Sequence, residues 1–230
     1  MNETIQVTLT ANAGTIVEQG GRMVAIDALH DRKEGEFRTL SPAEIDGVFA
    51  RLSKRPPDVY LTTHRHSDHY SEALTERAKR LWPDCRFFTP SGILRIPRRI
   101  SAPGLEIEPA VLTHDGALYR DFLNCGFFIR FPGCNVLSLG DCATTETDSV
   151  RRLIAGRRVD LALLNFPWLC LDHGRATVDG IINPAAIAVI HLPDPSEDDY
   201  GYCAAAERCA PLLRCKNVQF LNSYLQTARF

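Results

Sequence analysis

The side chains with most chemical potential stand in one stretch, Thr63-His64-Arg65-His66-Ser67-Asp68-His69. His64, His66 and Asp68 alternate, so in extended backbone they share one side, whereas on a helix residues two apart point nearly opposite ways. The pattern therefore belongs to a strand end and the loop after it, just ahead of a helix. Three imidazoles and a carboxylate within six positions make a dense donor set. Imidazole suits zinc and other borderline transition metals, and carboxylate adds a hard oxygen ligand. Such density points to metal ligation rather than to a polar surface loop.

A second pattern is independent of the first. Four apolar runs each end in a ligand-type residue: 59–63 at His64, 109–113 at His114, 136–140 at Asp141 and 186–190 at His191. A lone histidine at a strand end is ordinarily just a hydrogen-bonded histidine, and Gly140-Asp141 could be an Asx turn. Their common placement carries the argument, because ligands on ends of rigid strands make a preorganised site. If the strand ends converge, seven ligands are at hand. One tetrahedral or octahedral ion cannot use seven side chains, whereas two ions sharing a bridge can.

The elements that must position these residues can be read in outline. Thr4 to Ile26 reads as short strands joined by the turns Ala13-Gly14 and Gly20-Gly21, ending at Asp27. A helix is expected over Pro42–Leu52, with Ser41 as N-cap and Glu44 three residues on. Pro56-Pro57 ends it, and Asp58–Thr63 reads as a buried strand. A helix over Ser71–Leu81 follows, stopped by Pro83. Strands are expected near Arg86–Thr89, Leu105–Thr113, Gly126–Phe131, Val136–Leu139, Asp160–Leu164 and Val218–Leu221. Helices are expected at Glu146–Ala155 and Glu197–Leu213, the last with Ser196 as N-cap and the acids Glu197-Asp198-Asp199 in its first turn. Hairpins first and alternating strands and helices later suggest an α/β sandwich of two sheets covered by helices.

With 230 residues, 45% of them hydrophobic, the chain can bury a large core and fits one domain, residues 1–230. The net charge of −2 argues against a general polyanion binder. The pairs Arg98-Arg99, Arg151-Arg152 and Arg157-Arg158 are interspersed with acids, so nucleic acid is not the expected partner. Met1–Thr10 has no signal-peptide pattern and no run reaches the roughly 18 apolar residues of a membrane span, so a cytoplasmic protein is expected. The eight cysteines then read as free thiols. Cys203, Cys209 and Cys215, six apart, fall on different helix faces and cannot grip one metal together.

The ordered set His64-x-His66-x-Asp68-His69, His114, Asp141, His191, with strands opening the chain and ending in Ile26-Asp27, resembles the metallo-β-lactamase superfamily. The length and the Thr-His-Asp-Gly context of His114 are most similar to its small ascorbate-phosphate-lactonase-like branch. The resemblance implies an αββα sandwich of two mixed β-sheets flanked by helices, with two divalent metal ions at one edge. Zinc is the expected metal, with Mn2+ or Fe2+ as alternatives. It implies His64, His66 and His114 on one ion, Asp68, His69 and His191 on the other, and Asp141 between them. Hydrolysis by a water of lowered pKa is the implied chemistry, with Asp68 the catalytic carboxylate that orients that water or shuttles its proton. Asp27 is a candidate to accept a hydrogen bond from a ligand imidazole, or else a simple turn residue. Cys142 stands where the family often has Thr, and is expected to face the core.

Substrate residues are less defined. Tyr119, Arg120, Trp168, His173 and Arg175 fall in segments expected to be loops near the ligands, where arginine would suit a carboxylate or phosphate. Each could equally be a solvated loop residue. His30 has no nameable partner. The expected substrate is a small, anionic ester, lactone or phosphodiester. The rival readings are a nuclease or phosphodiesterase acting on nucleic acid, a di-iron oxygen-reducing protein, and a non-catalytic metal-binding sensor.

Overall fold

A computed structural model describes residues 4–33, 35 and 37–230. The first sheet has the order β13-β1-β2-β3-β4-β5. Its strands are β1 (Gln6–Leu9), β2 (Thr15–Gln19), β3 (Arg22–Ile26), β4 (Val59–Leu61), β5 (Arg86–Phe88) and β13 (Thr227–Arg229). The second sheet has the order β12-β11-β10-β9-β8-β7-β6. It is built from β6 (Ile100–Ala102), β7 (Leu105–Thr113), β8 (Leu123–Phe131), β9 (Cys134–Ser138), β10 (Leu161–Leu164), β11 (Ala186–Val189) and β12 (Val218–Phe220). Both sheets are mixed: β3, β4 and β5 run parallel, as do β9 to β12, and the remaining pairs are antiparallel.

Strand periodicity explains the layers, since alternate residues of a strand face opposite sides. Val59 and Leu61 of β4, with Phe127 and Ile129 of β8 and Leu161 and Leu163 of β10, join one core between the sheets. Tyr60, on the other face of β4, packs with residues of α1 (Pro42–Lys54) and α2 (Glu72–Leu81). Ala162 and Leu164 of β10 pack outward with α3 (Thr147–Ile154) and Trp168. Helix, sheet, sheet, helix is thus the order of layers, and both faces of the central parallel strands are apolar as burial demands. Ser41 closes α1 with the expected capping box, its hydroxyl taking Glu44 N–H while the Glu44 carboxylate takes Ser41 N–H.

The C-terminal third departs from expectation. After β10 the chain forms α4 (Pro167–Cys170), α5 (Asp172–Thr177) and a wide π turn to Ile182. The last helix, α6 (Tyr202–Cys209), starts later than expected and tightens into a 3-10 turn at Ala210–Leu212. Ser196 does not cap it. Its N–H and hydroxyl turn back to the Asp194 carboxylate, and the Asp198 carboxylate takes the Tyr202 and Cys203 N–H groups instead. Pro193 and Pro195 hold that segment out of the helix. Among the described residues no helix is long and apolar enough to cross a membrane.

Candidate metal centre

β4, β7, β9 and β11 all release the chain at one edge of the sandwich, and the seven ligand-type residues follow their ends. Beyond β4, His69 N–H and Tyr70 N–H both bond to His66 O, a tight turn that folds His64, His66, Asp68 and His69 toward one point. Gly140 permits the turn after β9: its φ is +56°, and a Cβ there would lie 2.5 Å from Asn124 Oδ1 and 2.8 Å from Thr63 Cβ. Asn124 spans that turn, donating to Leu139 O and accepting Asp141 N–H. His191 is also left-handed, at φ 55°, and its N–H bonds to Asn12 O.

These residues form three groups with donor atoms close enough for metal: His64, His66 and His114; Asp68, His69 and His191; and His64, His69 and Asp141, which shares a member with each of the others. In the first, His64 Nε2 and His114 Nε2 are 3.4 Å apart. In the second, His69 Nε2 and His191 Nε2 are 3.1 Å apart, and Asp68 Oδ2 is 3.6 Å from each. Asp141 Oδ2 stands between these two groups, 3.3 Å from His69 Nε2, 3.3 Å from His191 Nε2, 3.7 Å from His114 Nε2 and 3.8 Å from His64 Nε2.

The surrounding bonds fix which nitrogens face inward. Asp27, buried beneath the cluster, accepts Thr63 N–H and Thr63 Oγ1–H, and takes the His69 Nδ1 proton at 2.9 Å. With its own proton committed to Asp27, Thr63 Oγ1 accepts His64 Nδ1–H at 3.0 Å. His114 Nδ1–H donates to Asp115 O at 2.6 Å. In their neutral forms these three rings therefore point bare Nε2 lone pairs inward, where His64 and His114 face each other. His66 Nε2 and Asp141 Oδ1 are buried with no hydrogen-bond partner. Facing lone pairs and orphaned acceptors are costly unless something positive sits among them, so this donor set fits metal cations.

Electrostatics agree. Burial, with the neighbouring rings, holds His64 well below the ordinary imidazole range and lowers His66. Burial also opposes charge on His69, yet the Asp141 and Asp68 carboxylates raise it well above that range. Burial raises and His191 and His69 lower the Asp141 carboxyl, which ends well below its usual range. The carboxylates thus draw positive charge into the centre even from a proton.

The substrate candidates divide. The Tyr119 ring stands 5.0 Å from that of His66 and 5.4 Å from that of His114. Arg120 lines a cleft of about 450 Å³ with His114, Asp115 and Thr145. Trp168, expected in a pocket loop, is fully buried in the helix-side core. Arg175, on α5, is engaged by its own helices: it holds Leu169 O and Cys170 O, each at 2.8 Å, and pairs with Asp172. His173 Nε2 is 2.6 Å from Thr144 Oγ1, tying α5 to the loop after Asp141. Cys142 is buried in the core, where burial pushes its thiol up. His30 is buried between Thr39 Oγ1 and Ala11 O. Sequence reading missed Asn12, whose amide donates 2.9 Å to Asp68 Oδ2, and two rings against the ligands: Phe37, 4.1 Å from His191, and Phe122, 4.2 Å from His66.

No protein-family model matches the chain, and no curated protein matches it. Solved structures do. A metallo-β-lactamase fold protein from Bacillus subtilis, YhfI, aligns over 100% of both chains with a TM-score of 0.66 and 12% identity. Igni18, a metallo hydrolase from Ignicoccus hospitalis, covers 99% of this chain and 98% of its own, with a TM-score of 0.60 and 18% identity. CmlA, a diiron β-hydroxylase from Streptomyces venezuelae, matches 100% of this chain over 54% of its own length, with a TM-score of 0.63 and 15% identity. The chain has the metallo-β-lactamase fold.

Proposed function

We propose that the chain is a metal-dependent hydrolase of a small, anionic ester, lactone or phosphodiester. The observation that carries this reading is Asp141 Oδ2, 3.3–3.8 Å from four imidazole Nε2 atoms drawn from the first two groups. His64, His66 and His114 would hold one divalent ion, Asp68, His69 and His191 the other, and Asp141 both. Zinc suits this nitrogen-rich set. When bound, such ions supply Lewis acidity to a carbonyl or phosphoryl group and a water of lowered pKa.

The chain's own residues do the rest. Asp27 orients His69 directly and His64 through Thr63, fixing the Nδ1 proton of each and directing both Nε2 atoms inward. Asn12 holds Asp68 at Oδ2, which leaves Oδ1 as the atom that accepts a proton from the attacking water. Arg120, in the cleft beside His114, binds the anionic group of the substrate. Three of the six arginines in the basic pairs are neutralised by acids, which favours a small substrate over nucleic acid: Arg99 pairs with Glu106, Arg157 with Glu108 and Arg158 with Asp160.

The test is elemental analysis of the purified chain together with turnover on lactones, phosphodiesters and thioesters. Asp68→Asn is expected to keep the fold and the His64–His66–His114 ion while lowering kcat at least about 100-fold, the scale of a lost general base. Near-normal kcat in that variant would remove Asp68 from the reacting centre. The similarity to CmlA favours one second reading, dioxygen chemistry on two irons. Oxygen uptake by the iron-loaded chain, without hydrolysis of any substrate, would establish it in place of the first.

A further inference from the structure

Exposed apolar side chains are concentrated in loops that leave the ligand-bearing edge of the sandwich. Of the ten large hydrophobic side chains that are exposed among the described residues, seven lie in loops that follow β5, β7, β10 and β11. Those loops leave the sandwich at the edge that carries the ligands. Three of the seven, Leu118, Tyr119 and Phe122, are in the single loop after His114, and they are 88%, 39% and 45% exposed. Exposed apolar groups scattered singly need no explanation, but grouped ones at a functional edge do. Two of these have a defined posture. Phe122 and Tyr119 set their rings edge-on to His66, at 4.2 and 5.0 Å between centroids, and lie 6.1 Å from each other. Each keeps a large part of its ring open to solvent beside a ligand-type imidazole.

The same loop carries a complementary charge. Arg120 lies between the two rings in sequence and faces the cleft walled by His114, with Asp115 also on its lining. Among the described residues its guanidinium has no hydrogen bond or ion pair. One turn therefore offers an apolar platform on one side and an unpaired cation on the other, both next to the imidazoles.

Building on the hydrolase reading above, we propose that the substrate is amphipathic. An alkyl or aryl group lies on Tyr119 and Phe122, an anionic group reaches Arg120, and the bond to be cleaved lies at the His66–His114 side of the centre. The platform is a specificity device. It selects among substrates with the same reacting group by the length of their apolar part.

The test uses n-alkylphosphonates, from methyl to octyl, titrated calorimetrically into the zinc-reconstituted chain. Full burial of a methylene gives roughly fourfold in affinity, so a tail covered on one side by the rings gives about twofold per carbon. Phe122→Ser and Tyr119→Ser, both at exposed positions, are expected to flatten that slope, while Leu81→Ser at the far end of α2 leaves it intact. Arg120→Gln is expected to weaken every member by one common factor without changing the slope. A flat series in the unmodified chain overturns the proposal, even if short lactones are hydrolysed. A steep, Phe122-dependent series with no hydrolysis of any substrate sustains the amphipathic binding site while removing the hydrolase reading and the cleaved bond with it. A flat series together with Phe122-dependent sedimentation on phosphatidylcholine vesicles would assign the rim to a lipid surface and overturn it as well.

Discussion

Replacing Asp27 by Asn asks whether the imidazoles it steadies are metal ligands. The exchange preserves shape, and at φ 49° Asn accepts the left-handed backbone as readily as Asp. What changes is which atoms carry protons. The Asp27 carboxylate accepts from Thr63 N, Thr63 Oγ1 and His69 Nδ1 and donates nothing. Asn has one accepting oxygen, and its amide nitrogen only donates. If the oxygen keeps Thr63 N–H, the amide faces Thr63 Oγ1 and His69 Nδ1, which must now accept. His69 then carries its proton on Nε2, the atom 3.1 Å from His191 Nε2 and 3.3 Å from Asp141 Oδ2, where a lone pair is required. Loss of an orienting partner of this kind weakens metal binding roughly 10- to 100-fold, or about 1.4–2.7 kcal/mol. The larger loss should fall on the Asp68–His69–His191 group, because His69 Nδ1 is forced to accept, whereas Thr63 Oγ1 has two lone pairs and can take both the new amide and His64 Nδ1–H. Competition with a chromophoric zinc chelator, resolving two binding steps, reads this directly. One step should weaken by the stated factor while the other changes by about threefold or less. Two unchanged steps would refute the role given to Asp27 and the tautomers deduced from it.

Two further outcomes follow from groups outside the ligand set. His30 is buried, and burial lowers its pKa from the ordinary 6.5 to about 4. The unfolded chain therefore takes up this proton first, so its contribution is complete above about pH 6.5 and lost on descending toward pH 4, about 3 kcal/mol in all. Urea unfolding with chelator present, at pH 7 and pH 4.5, should show a smaller pH difference in His30→Gln than in the unmodified chain; an equal difference would mean His30 is protonated in the fold. Gly140→Ala combines a left-handed residue with a Cβ 2.5 Å from Asn124 Oδ1, whereas Gly156→Ala, at φ +70°, meets open space. Both carry left-handed strain of roughly 1–2 kcal/mol. Only Gly140→Ala should lower the melting temperature beyond that and release metal, and equal effects would show that the turn before Asp141 has slack.

The candidate ligands were legible because rare side chains sit at the ends of apolar runs, a pattern that needs no tertiary information. β7 has the expected bounds, Leu105–Thr113, and α1 has its expected cap at Ser41. Other parts had no local signal. Asn12 and Asn124 are an ordinary turn residue and an ordinary strand residue until the fold brings them to Asp68 and Gly140. Trp168 and Arg175 looked like loop residues because they lie between a strand and a ligand. The chain there coils into α4 and α5, where the indole supplies core volume and the guanidinium caps helix carbonyls. β13 has three residues, and its place is set by pairing with β1 at the other end of the chain. In the acidic run Ser196 does not cap the helix as expected; the Asp198 carboxylate, four residues before Tyr202, takes the Tyr202 and Cys203 N–H groups, a contact that depends on the turn between them.

The ligands come from both sheets: His64, His66, Asp68 and His69 follow β4 of the first, whereas His114, Asp141 and His191 follow β7, β9 and β11 of the second. Each proposed ion would then be a rivet through the seam of the sandwich, gripping both leaves at once. Loading would couple to closure of that seam by mass action, adding about 2.7 kcal/mol when free metal exceeds Kd a hundredfold. A cell that starves this chain of metal would thus not merely idle its chemistry. It would leave two leaves held by apolar packing and a few crossing hydrogen bonds, such as His191 N–H to Asn12 O and Cys125 N–H to Thr63 O, with histidine rings turned toward one another at the open edge.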